Sequence, residues 1–245
     1  MFRRRFGSEI TLQCPTGRHR CQINSWRQSN FVALWCSQLV PKPLTEHAPA
    51  PTQSDMTYHA RPTPVPIGIL TVSDRAHAGT YEDRGGPAAQ QWLSEVLTTP
   101  WHAEYCLVPD DQERIESAMK DLVDTRGCAL VCVTGGTGPS PRDVTPEAVA
   151  AVCHRMLPGF GEEMRRASLK VVPTAILSRQ EAGLRGTSLI IALPGNPGAI
   201  SDCLEAVFAA VPYAIELAGG PILETDPARI AVFRPRHAQP KRPLP

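Results

Sequence analysis

From residue 67 onward, short apolar runs rich in β-branched residues alternate with stretches whose apolar positions recur at helical spacing. Residues 67–73 predict a first strand, and 87–97 a helix with Ala89, Trp92, Leu93, Val96 and Leu97 on one face. A second strand is predicted over 102–108. Across 111–124, Ile115, Ala118, Met119, Leu122 and Val123 share one helical stripe with charges opposite, and Gly127 is placed to end that helix. Another apolar run, containing Cys128 and Cys132, leads into Gly135. Beyond it come a helix over about 145–156, a segment opening Pro158-Gly159-Phe160 that turns helical, and a strand over 188–193. A last long helix carries Ile200, Cys203, Leu204, Val207, Phe208 and Val211 on one stripe.

This alternation predicts an α/β fold of three layers, a mainly parallel central sheet flanked by helices. Ligands of such sheets bind at the carboxyl ends of strands, near the point where strand order reverses. Four segments follow predicted strands directly: Ser73-Asp74-Arg75 with Asp83 and Gly85-Gly86; Pro109-Asp110-Asp111; Gly135-Gly136-Thr137-Gly138; and Pro194-Gly195-Asn196-Pro197.

The third segment carries the most chemistry. Its three glycines let backbone N–H groups turn toward an anion, and a helix start follows, with Thr145 as N-cap, Pro146 in the first turn and Glu147 facing the positive dipole end. Asp143 would repel a bare phosphate but would hold a magnesium ion bridging to one. The spacing matches neither the dinucleotide fingerprint nor the P-loop, so taken alone the glycines fit a connecting turn as well as an anion site. Asp111 reads as the cap of the following helix, which leaves Asp110 to join Asp143 at a magnesium ion. Asp74 fits either a ligand contact or a local Asx turn. Arg165, Arg166, Ser168 and Lys170 fit either a solvated helix face or an anion contact. His77, His102 and His154 share no ligand spacing, and no G-x-S-x-G elbow occurs.

Charge divides the chain of 245 residues. Residues 1–62 hold eight Lys or Arg against three Asp or Glu, and the stretch from Pro41 to Pro66 is Pro-rich, as in an extended linker. They read as a disordered leader, with translation from Met56 as the other reading; 63–237 form the folded domain and 238–245 a disordered basic tail. Arg3-Arg4-Arg5 is not followed by a continuous apolar segment, which argues against an export signal. Residues 63–232 contain 13 basic and 21 acidic groups, a balance that disfavours nucleic acid. No apolar run reaches the ~20 residues of a membrane span, so a cytoplasmic protein is expected. Cys14, Cys21 and Cys36 lack C-x-x-C pairs or zinc spacing.

Taken together, the motifs resemble the MoaB/Mog family of molybdopterin adenylyltransferases. The resemblance runs from Ser73-Asp74-Arg75-Ala76, Tyr81-Glu82-Asp83-Arg84-Gly85 and Val108-Pro109-Asp110 through Thr134 to Gly138 and Arg142-Asp143-Val144-Thr145-Pro146. It continues in Pro158-Gly159-Phe160-Gly161-Glu162, Leu193-Pro194-Gly195 and Val211-Pro212-Tyr213, while Ala175-Ile176-Leu177-Ser178-Arg179-Gln180 looks nearest the Mog branch. The leader departs from that pattern, and a short segment of the Mog branch near Glu205 to Phe208 is missing.

The resemblance implies transfer of AMP from ATP to the terminal phosphate of molybdopterin, with Mg2+ held by Asp110 and Asp143. Gly135, Gly136, Thr137 and Gly138 would bind phosphate oxygens, Ser73, Asp74 and Ser168 would line the cofactor site, and Pro194, Gly195 and Asn196 would shape the pterin end. It also implies a homotrimer and a downstream molybdenum-insertion protein of MoeA type. A non-catalytic molybdopterin-binding or scaffolding module and a nucleotide pyrophosphatase are the alternatives.

Overall fold

The computed structural model describes residues 63–236. The expectations for a leader over 1–62 and a tail over 238–245 lie outside the described residues. The chain enters through β1 (Val65–Val72), a one-turn helix α1 (Asp74–His77) and α2 (Gly85–Val96). Next come β2 (Trp101–Val108), α3 (Gln112–Lys120), β3 (Leu130–Thr134) and α4 (Thr145–Val152). The remainder is β4 (Arg155–Met156), α5 (Pro158–Leu169), β5 (Ala182–Arg185), β6 (Ser188–Leu193), α6 (Pro197–Val207) and α7 (Val211–Leu217).

These strands form one sheet in the order β2-β1-β3-β6-β5-β4. The four strands β2, β1, β3 and β6 are parallel, whereas β5 pairs antiparallel with β6 and β4 antiparallel with β5. Every residue of β3 and β6 is buried, as a strand with helices on both faces requires. Period-two alternation distributes their side chains. Ile69, Cys132 and Ile191 face the layer of α2, α5, α6 and α7, where Trp92 meets Phe208 edge-on at 4.8 Å. Leu70, Val131, Val133 and Ile190 face Ile115 and Met119 of α3 and Val149 of α4.

Three expected elements differ. The 111–124 helix keeps Asp111 as its cap, accepting from the Arg114 N–H, but widens after Lys120 into a π-turn over Asp121–Thr125. The 145–156 helix stops at Val152, because Arg155 and Met156 pair with β5. Strands of two and four residues are too short to leave a periodic signal. The expected last helix is two helices bent by 61°, and Pro212 explains the break: without an N–H, and with a ring that would collide with the Phe208 carbonyl, it sits only in the first turn of α7. Among the described residues no single helix is long and apolar enough to cross a membrane.

Register positions the site. Thr71 of β1 lies opposite Thr134 of β3, which in turn lies opposite Leu193 of β6, and Val72 lies opposite Val108 of β2. The four parallel strands therefore end level, and the loops after them share one rim. Chain connections leave β1 toward β2 on one side and reach β3 on the other, so the reversal of strand order falls beside β1.

Candidate active site

The loop after β3 is built around two left-handed glycines. Gly135 has φ +99° and lies so close to β1 that a Cβ there would stand 2.2 Å from the Val72 carbonyl oxygen. Gly136 has φ +61°, and a Cβ on it would meet Thr145 Oγ1 at 2.5 Å and Asp110 Oδ1 at 3.1 Å. Hydrogen bonds hold the turn from below: the Gly135 N–H donates to the Leu193 carbonyl, and the Thr134 hydroxyl donates to the Pro194 carbonyl at 2.8 Å. Thr145 is not the N-cap expected of it. That position is Val144, and the Thr145 hydroxyl instead donates to the Gly135 carbonyl at 2.8 Å while its N–H donates to the Gly136 carbonyl. Among the described residues the N–H groups of Gly136, Thr137 and Gly138 have no protein acceptor, which is the condition of an anion-binding loop.

Three carboxylates stand beside it, Asp74, Asp110 and Asp143. Asp74 and Asp110 are tied reciprocally: the Asp74 N–H donates to Asp110 Oδ2 at 2.8 Å, and the Asp110 N–H donates to Asp74 Oδ1 at 3.0 Å. Burial pushes the Asp110 carboxyl above its ordinary pKa, and the negative charges of Asp74 and Asp143 push the same way. Asp143 takes the Ser140 N–H on Oδ2 at 3.0 Å. Asp74 receives a two-pronged guanidinium from Arg142, which holds its carboxyl below the usual range.

Asp83 organises the opposite wall. It accepts from the Gly85 N–H at 2.9 Å at the start of α2, from the Thr71 hydroxyl at 2.9 Å and from the Tyr105 phenol at 2.8 Å. Partial burial first, and then this bond, push the Tyr105 phenol up to about 12. Its neutral form is thus favoured in the folded state, so the contribution to stability is full below the ordinary value near 10 and lost as pH rises toward 12. Thermal melts from pH 9 to 12 should accordingly show Tyr105→Phe losing less stability than the parent across that window.

Between the walls lies a crevice of about 430 Å³ lined by Asp74, Asp83, Asp110, Asp143, Gly136 and Gly195, with Ser73 and Tyr81 at its edge. Ser73 caps α1 by accepting from the Ala76 N–H at 3.2 Å. Gly195 approaches Gly135 and lines the crevice, and the Pro194 carbonyl accepts from Thr134 at the foot of the loop, whereas the Asn196 side chain is spent capping α6 through the Gly198 N–H. Thr137 is buried in that loop. Ser168, in contrast, lies buried on α5 with its hydroxyl 3.5 Å from Cys203 Sγ and takes no part in lining the crevice. The guanidinium of Arg165 donates to the Gln180 carbonyl and that of Arg166 to Glu163, so neither serves as an anion contact here. Sequence reasoning gave no role to Arg142, although its place directly before Asp143 was the available signal.

A magnesium ion fits this donor set. Asp110 and Asp143 supply hard oxygens from two facing loops, and among the described residues no cluster of three His, Cys, Asp or Glu completes a cage. Mg2+ is typically bound in this way, by one or two carboxylates with the remaining positions left to water and substrate phosphate.

A parallel α/β sheet with a free-N–H glycine loop and paired carboxylates at its reversal point defines a domain that handles phosphorylated ligands. Comparison gives the family: residues 68–213 match the model described as "Probable molybdopterin binding domain", and the chain belongs to that family. It is 51% identical over 185 residues to the molybdopterin adenylyltransferase of Haemophilus influenzae, covering 71% of this chain and 94% of that protein. The Escherichia coli K12 molybdopterin adenylyltransferase is 50% identical over 185 residues, covering 71% and 95%. Among solved structures, the molybdopterin biosynthesis enzyme MoaB of Thermus thermophilus superposes with a TM-score of 0.60 at 39% identity, covering 64% of this chain and 98% of that one.

Proposed function

We propose that this chain is a molybdopterin adenylyltransferase: it joins AMP from ATP to the terminal phosphate of molybdopterin and releases pyrophosphate. The observation that carries the reading is the meeting of Gly136, on a loop with free N–H groups, with Asp110 and Asp143 in one crevice, in a chain about half identical to proteins of that name.

The chemistry asks little else of the protein. The attacking group is a phosphate oxygen already ionised at neutral pH, so no Ser, Cys or His nucleophile is required. A bond forms between that oxygen and the α-phosphorus, and the bond from the α-phosphorus to the bridging oxygen breaks with its electron pair leaving on pyrophosphate. Gly136, Thr137 and Gly138 offer N–H groups to oxygens on which charge builds. Asp110 and Asp143 would hold Mg2+, which when bound neutralises the triphosphate. Asp74 keeps Asp110 in place through the reciprocal bonds, and Asp83 keeps the opposite wall. Pro194, Gly195 and Asn196 would border the pterin.

The activity belongs to residues 63–237, in a cytoplasmic homotrimer that passes its product to a molybdenum-insertion protein of MoeA type. Incubation with Mg-ATP should release pyrophosphate only when molybdopterin is present. Release without pterin would make the chain a nucleotide pyrophosphatase, and pterin binding without release would make it a scaffolding module. A monomer mass in light scattering at micromolar concentration would remove the trimer.

A further inference from the structure

Arg179 reaches the phosphate loop from a distant part of the chain. It follows the 3-10 turn Pro173–Leu177 and precedes β5, yet its N–H donates to the Thr137 carbonyl at 2.8 Å. Its guanidinium Nε donates to the Gly138 carbonyl at 2.9 Å, Nη2 to the Asp143 carbonyl and Nη1 to the Glu147 carboxylate. Both ends of the segment from Gly138 to Asp143 are thus held by one planar group. In a trans peptide the N–H points opposite to the carbonyl, so the Gly138 N–H, which follows the Thr137 carbonyl, turns away from Arg179 and stays free.

The brace is itself anchored. The next residue, Gln180, is 1% exposed, and its carbonyl accepts from Arg165 at 2.6 Å. That carbonyl also presses on Gly161, where a Cβ would stand 2.2 Å from it. The backbone at 179–180 therefore packs against α5, which gives the brace a fixed base.

We propose that Arg179 is a positioning residue for adenylyl transfer, which sets the Asp143 carboxylate and the loop N–H groups where the phosphates and the metal need them. Its guanidinium is engaged by the Gly138 and Asp143 carbonyls and by Glu147, so its role in the proposal runs through the loop. The proposal rests on the adenylyltransferase reading of the same crevice. A lysine cannot replace it, because a single ammonium cannot span two carbonyls and a carboxylate that the fork reaches together.

Displacement of reacting groups by about an ångström costs on the order of 100-fold, so Arg179→Met should lower kcat by about that factor. KM for molybdopterin should change less than about twofold, since the pterin end of the crevice is untouched. The Mg2+ concentration for half-maximal rate should rise. Millimolar guanidinium ion should restore part of the rate in the variant and none in the parent, and Arg179→Lys should stay nearer the Met variant than the parent. Inorganic pyrophosphate binding, followed by calorimetry, should weaken about tenfold, roughly 1.4 kcal/mol.

An unchanged kcat in Arg179→Met overturns the proposal. So does a loss of rate accompanied by a lower melting temperature, no guanidinium rescue and an unchanged Mg2+ requirement, which would make Arg179 a structural prop. Should the parent protein release no pyrophosphate, the functional reading fails instead, and the pyrophosphate-binding comparison then decides the role of Arg179 alone.

Discussion

Replacing Gly135 by alanine should abolish turnover and cost at least about 3 kcal/mol of stability, combining a φ of +99° with a backbone collision. The added Cβ would lie 2.2 Å from the Val72 carbonyl oxygen, a β1 atom held by sheet pairing, so neither partner can give way cheaply. For a domain of this size the melting temperature should fall by roughly 6 to 12 °C. Gly79 supplies the control: its φ of +69° is also left-handed, but nothing lies within 4 Å of a Cβ there. Gly79→Ala should cost about 1 kcal/mol, the backbone penalty alone, and leave activity intact. Equal losses in the two variants would show that the close approach to β1 is irrelevant.

Removing the charge of Asp110 should act in the opposite direction on stability. Asp110→Asn keeps an oxygen to accept the Asp74 N–H and is expected to lower kcat by about 100- to 1000-fold, with molybdopterin binding retained. Burial raises the folded-state pKa of Asp110 above its ordinary value, so its ionisation favours the unfolded chain as pH rises through that window. At neutral pH the Asn variant should therefore melt no lower than the parent. In the proposed role, Asp110 would be a carboxylate kept for activity although burial disfavours its ionised form, the trade-off expected of an active site. Asp143→Asn should show a similar kinetic loss. Full adenylylation by either variant removes that residue from the metal site.

The four parallel strands, the helices between them and the Asp111 cap were legible in sequence because each leaves a local mark: period two, period 3.6, or a polar residue before an apolar stripe. The antiparallel pair β4 and β5 leaves none. Arg155 and Met156 become a strand only because β5 offers them an edge, and β5 itself is four residues long. Thr145 shows a different failure. Its sequence neighbourhood is that of an N-cap, but the chain needs its hydroxyl on the Gly135 carbonyl, a partner that the turn brings back onto α4.

Ser168 shows the same limit from the other side. It shares a helix with arginines and a lysine, as an anion contact would, yet its side chain turns inward to Cys203, and helix rotation is set by packing against α6.

What the sequence determined by itself was the α/β alternation, the glycine loop with Asp143, and the strand-end Asp110, because each is written in contiguous residues. Tertiary structure alone decided which of these meet. Level strand ends bring the Asp110 and Gly135 loops to one crevice, Asp74 and Asp110 exchange backbone bonds, and Arg179 arrives from 36 residues beyond Asp143 to hold the loop in place. Those contacts follow from sheet register and helix packing, which sum weak, non-directional burial over the whole domain and leave no local trace in the chain.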